Sequence, residues 1–127
     1  MNDALTQLTG LSEPRCRPDQ HRAYSYANML LLDSAQAGFS RDALVKALVA
    51  EGVKAFTWVY PEQHKLLIYS EPKWWHHAPV IPTSMPGNDY INTQHFFLPI
   101  MYAEADDVID QYIKAFQKVW AHRSELA

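Results

Sequence analysis

The chain has 127 residues, 48% of them apolar and 20% charged, with a formal net charge of −3. This is the balance of a globular protein with a single hydrophobic core, which sets aside a disordered chain and any charge-driven binding to nucleic acid or an anionic membrane. A lone cysteine, Cys16, leaves no internal disulfide framework. No apolar run approaches the ~20 residues of a membrane span, and the first residues lack the charged and apolar regions of a signal peptide, so a cytoplasmic protein is expected.

Asp3 to Leu8 reads as a short helix ended by Gly10, too short to persist unless it lies on a surface. Residues 12–22 form a polar, proline-interrupted connection. Its basic cluster, Arg15-Cys16-Arg17 with His21 and Arg22, lacks the interleaved aromatics of a nucleic-acid surface. Tyr24 to Leu32 alternates and then becomes continuously apolar, the pattern of a strand whose two faces are covered. Asp33 to Phe39 is a turn.

Ser40 opens the clearest helix as its N-cap, and Asp42 adds favourable charge to the first turn. Leu44, Val45, Leu48 and Val49 make its apolar stripe, and Gly52 supplies the left-handed stop. Val53 to Val59 alternates as a second strand. Residues 60–94 form a long proline- and aromatic-rich loop, in which Leu66 to Tyr69 fits one helical turn or a short strand. His95 to Ile100 is a third strand, with Pro99 at its edge or end. A final helix carries Ile109, Tyr112, Ile113, Phe116, Val119 and Trp120 on one face, with Glu104, Asp106 and Asp107 at its start and His122 and Arg123 at its end. The expected architecture is α+β in the order β-α-β-loop-β-α, one domain spanning residues 1–127. Its small sheet is mixed or mostly antiparallel, with the helices packed on one face.

The order of these elements and several local strings resemble the C-terminal, small domain of the DegT/DnrJ/StrS aminotransferases, which are pyridoxal-phosphate-dependent enzymes acting on keto-sugars and related cyclitols. The similarity runs from Asn2-Asp3-Ala4-Leu5 through the Tyr24–Leu32 strand and the Arg41–Gly52 helix to Tyr60-Pro61-Glu62-Gln63-His64-Lys65. That last string is similar to the family's Tyr-Pro-x-x-His turn. Asn92-Thr93 and the Leu98-Pro99 ending complete it. The resemblance implies that the cofactor-binding aspartate, the Schiff-base lysine and the phosphate-binding turn belong to a large domain this sequence does not contain. None of Lys46, Lys54, Lys65, Lys73, Lys114 and Lys118 stands in a Schiff-base context, and four unclustered glycines make no phosphate-cradling loop. No cofactor is expected on this chain, and transamination by it alone is not expected.

The resemblance also places Tyr60 and His64 near the sugar pocket at a dimer interface; the bland alternative is a packed tyrosine and a loop histidine satisfied by backbone. Trp74 and Trp75, consecutive in a loop, are hard to bury together, so an interface is expected there. Ser70-Glu71-Pro72-Lys73 has the Ser-x-x-Lys spacing of serine acylases, but Pro72 removes the helix that spacing needs. His76 and His77 point to opposite sides of an extended chain and, even with His64 and His95, lack the spacing of a zinc site. Cys16 between two arginines has no third group to make it a nucleophile.

Three functions follow as expectations. The first is a stand-alone or truncated C-terminal domain of a sugar aminotransferase, inactive alone, either a vestigial product or one that docks onto a separate cofactor-binding large domain. The second is a module binding a sugar or nucleotide-sugar through the 60–94 segment. The third is a homo-oligomeric interaction protein.

Overall fold

The computed structural model describes residues 1–23, 26–58, 61–71, 73, 75–77 and 79–126. Its sheet has three antiparallel strands, β1 (Leu11–Ser12), β2 (Asn28–Leu32) and β3 (His95–Leu98), with β2 in the middle. Helices α1 (Asn2–Leu5), α2 (Ser34–Ala37), α3 (Arg41–Ala50), α4 (Leu67–Ser70), α5 (Pro86–Gln94) and α6 (Asp106–Ala121) surround it. The α+β class and the antiparallel sheet agree with expectation.

Register divides the sheet into two faces. Leu11 stands opposite Leu32, Leu30 opposite Phe96 and Asn28 opposite Leu98. These residues share one face, since side chains alternate along a strand. Leu30, Leu32, Phe96 and Leu98 are fully buried there among Leu44 and Leu48 of α3 and Phe116 of α6. Met29 opposite Phe97 and Leu31 opposite His95 occupy the other face.

Helix α3 forms where its cap and stripe place it. The Ser40 hydroxyl accepts from the Ala43 amide, and Gly52 follows with φ +88°. Val49 is the exception, 54% exposed, because the last turn presents only Leu48 inward. In α6 the stripe buries Tyr112, Phe116, Val119 and Trp120, with Ala115 added to it. The Trp120 ring sits edge-on to Phe39 at 5.4 Å and its indole N–H donates to the Thr9 carbonyl at 3.1 Å. The N-terminal segment therefore gains the surface it needs, with Leu5 only 1% exposed. Helix α1 is one turn long rather than extending to Leu8, and Gly10 lies in the turn before β1 rather than at the helix end. A Cβ at Gly10 would stand 2.8 Å from both Ala37 N and Asp33 O, on a backbone already at φ +81°. Only glycine fits that approach.

Four other expectations are corrected. Strand β1 forms within what reads as a connection; two residues carry too little pattern to register. Strand β2 begins at Asn28, four residues late, because its partner β3 ends at Leu98 before Pro99, which has no amide to extend the ladder; Tyr24 and Ser25 lie outside the described residues. Asp33–Phe39 contains a helical turn, α2, capped by the Asp33 carboxylate, which accepts from the amides of Ala35 and Gln36 at 3.0 and 3.1 Å. Over the described residues 53–58 the expected strand is a single bridge, Phe56 to Phe97, and Val59 lies outside the described residues. Three amides before the bridge are spent elsewhere: Val53 on Leu48 O, Lys54 on the Tyr112 hydroxyl, and Ala55 on Val53 O.

The 60–94 segment is more ordered than a loop. It contains a 3-10 turn at Gln63–Lys65, α4, and the nine-residue helix α5. Proline at N1 of α5 suits a helix start, while its C-terminal carbonyls are tied from outside. Arg41 donates to Asn92 O at 2.5 Å, and His95 Nδ1 lies 2.6 Å from Ile91 O. Arg41 thereby satisfies a carbonyl that a helix end otherwise leaves orphaned, while Ile91 O also accepts from the His95 backbone amide.

Candidate functional site

The second sheet face floors a cavity of about 630 Å³, in the size range of small-molecule sites. Met29 and Phe97 form part of the floor, α5 contributes Asn88, Ile91 and Asn92, and Trp58, Glu62 and His64 also line the cavity. Alternation along β2 and β3 produces this directly, because every second side chain leaves the core.

Glu62 organises the rim. Its Oε1 accepts from the side-chain amides of Asn88 (3.2 Å) and Asn92 (3.4 Å), which ties the 61–65 turn to α5. Its Oε2 pairs with the Lys65 ammonium, and His64 Nε2 lies 3.9 Å away. The Glu62 carboxyl is held below its ordinary value of 4.5, first by the Lys65 hydrogen bond and then by the charge of Lys65, by Asn92 and by His64. The Lys65 amine is correspondingly held above its ordinary value by Glu62. The rim thus carries one compensated ion pair.

His95, only 4% exposed, fastens the floor to both walls. Its Nδ1 lies 2.6 Å from Ile91 O and its Nε2 3.2 Å from Trp58 O, and a neutral imidazole donates to one of these two carbonyls. His76 and His77 are exposed on the 75–77 stretch. Among the described residues no group of three or more His, Cys, Asp or Glu side chains is placed to hold a metal ion.

His64 therefore lines the cavity, 15% exposed at its side chain, while Tyr60 lies outside the described residues. Trp75 stacks on Tyr69 at 5.6 Å and donates to Ile68 O at 2.9 Å, which folds Trp75 back against the α4 turn. It remains 41% exposed. Trp74 lies outside the described residues. Cys16 is exposed, with its thiol 3.5 Å from Gln20 O. Ser70 donates to Leu67 O within α4, and Lys73 pairs with Glu71, so the Ser-x-x-Lys spacing assembles nothing.

Sequence reasoning missed Glu62, Asn88, Asn92 and His95 as parts of one site. The spacing of Asn88 and Asn92, one helical turn apart, is the only local signal for them, and it is visible only once 86–94 is known to be helical.

No protein-family model matches the sequence, and no curated protein is similar to it. Solved structures do match its fold. An aminotransferase, TlmJ, from Streptoalloteichus hindustanus superposes with TM-score 0.67 and 22% identity, over 97% of this chain and 30% of its own. A DegT DnrJ EryC1 StrS aminotransferase from Brucella abortus gives 0.64 and 20%, over 92% of this chain and 27% of its own. DesI, solved in the presence of its TDP-sugar product, gives 0.66 and 25%, over 98% of this chain and 30% of its own. The chain spans about 30% of the length of these enzymes. No helix among the described residues is long and apolar enough to cross a membrane. The structural neighbours are sugar aminotransferases of the DegT/DnrJ/EryC1/StrS type, and the chain has the fold of one part of them.

Proposed function

We propose that this chain is a ligand-binding C-terminal-type domain of the DegT/StrS aminotransferase fold, without transaminase chemistry of its own. The cavity above the second sheet face carries this reading. It has the volume of a small-molecule site, an apolar floor and a few convergent polar groups. That one neighbour was solved with a TDP-sugar product supports a sugar as the ligand class.

The residues present do not fit pyridoxal phosphate. That cofactor needs a deprotonated lysine amine and a phosphate cup. Lys65 is the lysine beside the cavity, and its pairing with Glu62 favours the protonated, non-nucleophilic form. No lysine or arginine is among the described residues that line the cavity. Transamination in this reading needs a separate large domain that brings the cofactor. Titrating the chain with pyridoxal phosphate while recording the visible spectrum tests the point. No stoichiometric aldimine band is expected, and a stable band with turnover of an amino donor overturns it. A thermal-shift panel of sugars tests the binding half, because a ligand of the native state raises the unfolding midpoint.

A second reading, self-association, is favoured by one observation. Leu67 is 78% exposed and Val80 99%, with Ile68 and Trp75 also exposed, and apolar side chains left in solvent are what an interface between copies would cover. Light scattering at high concentration tests it; a strict monomer removes it.

A further inference from the structure

We propose that α5 is a hinged flap over the cavity: its C-terminal end is fixed, its first turn is held shut by Glu62, and release of Asn88 from Glu62 widens the mouth. Such a flap governs access to the cavity whatever ligand occupies it.

The two ends of α5 are anchored very differently. At the C-terminal end the chain passes without a break into β3, and His95 is both the helix cap and the strand residue opposite Leu31. The His95 amide donates to Ile91 O, and Arg41 donates to Asn92 O at 2.5 Å and to His95 O at 3.4 Å. The Ser34 amide donates to the Gln94 side-chain oxygen at 3.3 Å, so α2 holds this end as well. Burial follows these ties. His95 is closed to solvent, and Ile91, Asn92 and Gln94 are half-buried.

The first turn has little of this support. Pro86, Gly87, Asn88, Asp89 and Tyr90 are all exposed, and a Cβ added at Gly87 would meet nothing within 4 Å. Met85 caps the helix without a side-chain hydrogen bond, and the amides of Asn88 and Asp89 turn back to its carbonyl at 2.9 and 3.0 Å. Glycine and asparagine so early in a short helix add little intrinsic stability. Among the described residues, one hydrogen bond leads from residues 86–90 beyond the helix and its cap, from Asn88 to Glu62 at 3.2 Å.

Glu62 is placed to be the latch. Its second oxygen is fixed by Lys65, whose ammonium also feels the charge of Asp89 in the first turn. Its contact with Asn92, at 3.4 Å, lies on the anchored half, so the carboxylate keeps its place when Asn88 leaves. Among residues 86–90, Asn88 lines the cavity, whereas Ile91 and Asn92 line it from the anchored half. Unwinding the first turn therefore opens the mouth and leaves the rest of that wall standing. Local opening costs least where polar ties have no packed side chains beneath them, and motions of this kind admit ligands under many lids.

Residue-resolved amide exchange on the full chain, read as protection factors at neutral pH, tests the hinge. In the wild type the Asn88 and Asp89 amides are expected to be about tenfold or more less protected than the His95 amide. Asn88→Ala should lower protection at Asp89 by about three- to tenfold, although alanine is the better helix former, and leave His95 and α6 unchanged. Glu62→Ala should do the same, and Glu62→Gln, which keeps a carbonyl acceptor, should restore part of the loss. The double variant Glu62→Ala with Asn88→Ala should lose no more than either change alone. If Glu62→Ala does not fold, Asn88→Ala decides. Equal loss at Asp89 and His95, or no loss at either, overturns the flap. Access is read separately, in a Cys16→Ser background with a thiol placed on the cavity floor by Met29→Cys. Labelling by bulky N-(1-pyrenyl)maleimide, relative to small N-ethylmaleimide, should rise about threefold or more when Asn88→Ala is added. An unchanged ratio overturns the gating role.

Discussion

Met29 and Leu30 are neighbours on the central strand, yet they belong to two different materials. Leu30 faces a side packed by α3 and α6, where Leu32, Phe96, Leu98 and Phe116 are closed to solvent. Met29 faces the cavity, whose walls are held mainly by hydrogen bonds and one ion pair rather than by interdigitated side chains. The first face supplies the hydrophobic stability of the domain. The second is the adaptable one, since polar ties between short elements open at lower cost than a packed core. A sheet covered in this unequal way gives a rigid platform on one side and room for a ligand on the other.

The strongest challenge to this contrast is a pair of truncations. Leu30→Ala should cost about 3 kcal/mol, by lost transfer energy and the void left behind, while Met29→Ala, at a half-buried site, should cost less than half as much. Denaturant unfolding measures both, and equal losses would erase the distinction between the faces. Next in size, His95→Leu removes the ring contacts to the carbonyls of Ile91 and Trp58, of which Ile91 O keeps the backbone amide of residue 95, at about 1–3 kcal/mol. Faster hydrogen exchange should follow in α5 but not in α6; uniform loss in both would mean that His95 serves the core instead. Arg41→Met removes the guanidinium from the C-terminal end of α5 and should cost about 1 kcal/mol, with its exchange effect also confined to α5.

The smallest effect concerns pH. The folded Glu62 carboxyl titrates below its ordinary 4.5, so its contribution is fully present above that value and is lost as pH falls through the lowered folded one. Lys65 titrates above its ordinary 10.5, so its contribution is present below that value and is lost as pH rises through the raised one. Between these limits the pair adds a constant amount. Protection factors at the 61–65 turn should therefore fall at the acid end in the wild type and stay constant there in E62Q. Parallel profiles would show that the pair does not hold the rim.

Legibility in the sequence follows the same division. Helices α3 and α6 were readable because their apolar stripes and terminal charges record burial against one side. The start of β3 at His95 was readable, but the expected strand to Ile100 ran two residues too far, because Pro99 has no amide and the ladder stops at Leu98. The antiparallel α+β class, and the resemblance to a domain of the sugar aminotransferases, came from the order of such elements. Helix α5 was not readable: Pro-Gly-Asn-Asp-Tyr-Ile-Asn-Thr-Gln has two apolar residues and no stripe, and its C-terminal end depends on Arg41, 51 positions away from Asn92. The 53–59 alternation promised a strand that the described residues 53–58 reduce to one bridge, because the Tyr112 hydroxyl and two local carbonyls take the amides before it.

Of the site, His64 was reached through the resemblance, and no periodicity marks it. Glu62, Asn88 and Asn92 share a carboxylate across 26 and 30 positions of sequence, a separation over which local pattern carries no information. What the chain determined by itself is which segments bury a face, since burial leaves a period of two or 3.6 in the residues. Which polar side chains meet, and the cavity they enclose, was decided only by tertiary packing, because a hydrogen bond between distant residues leaves no period at all.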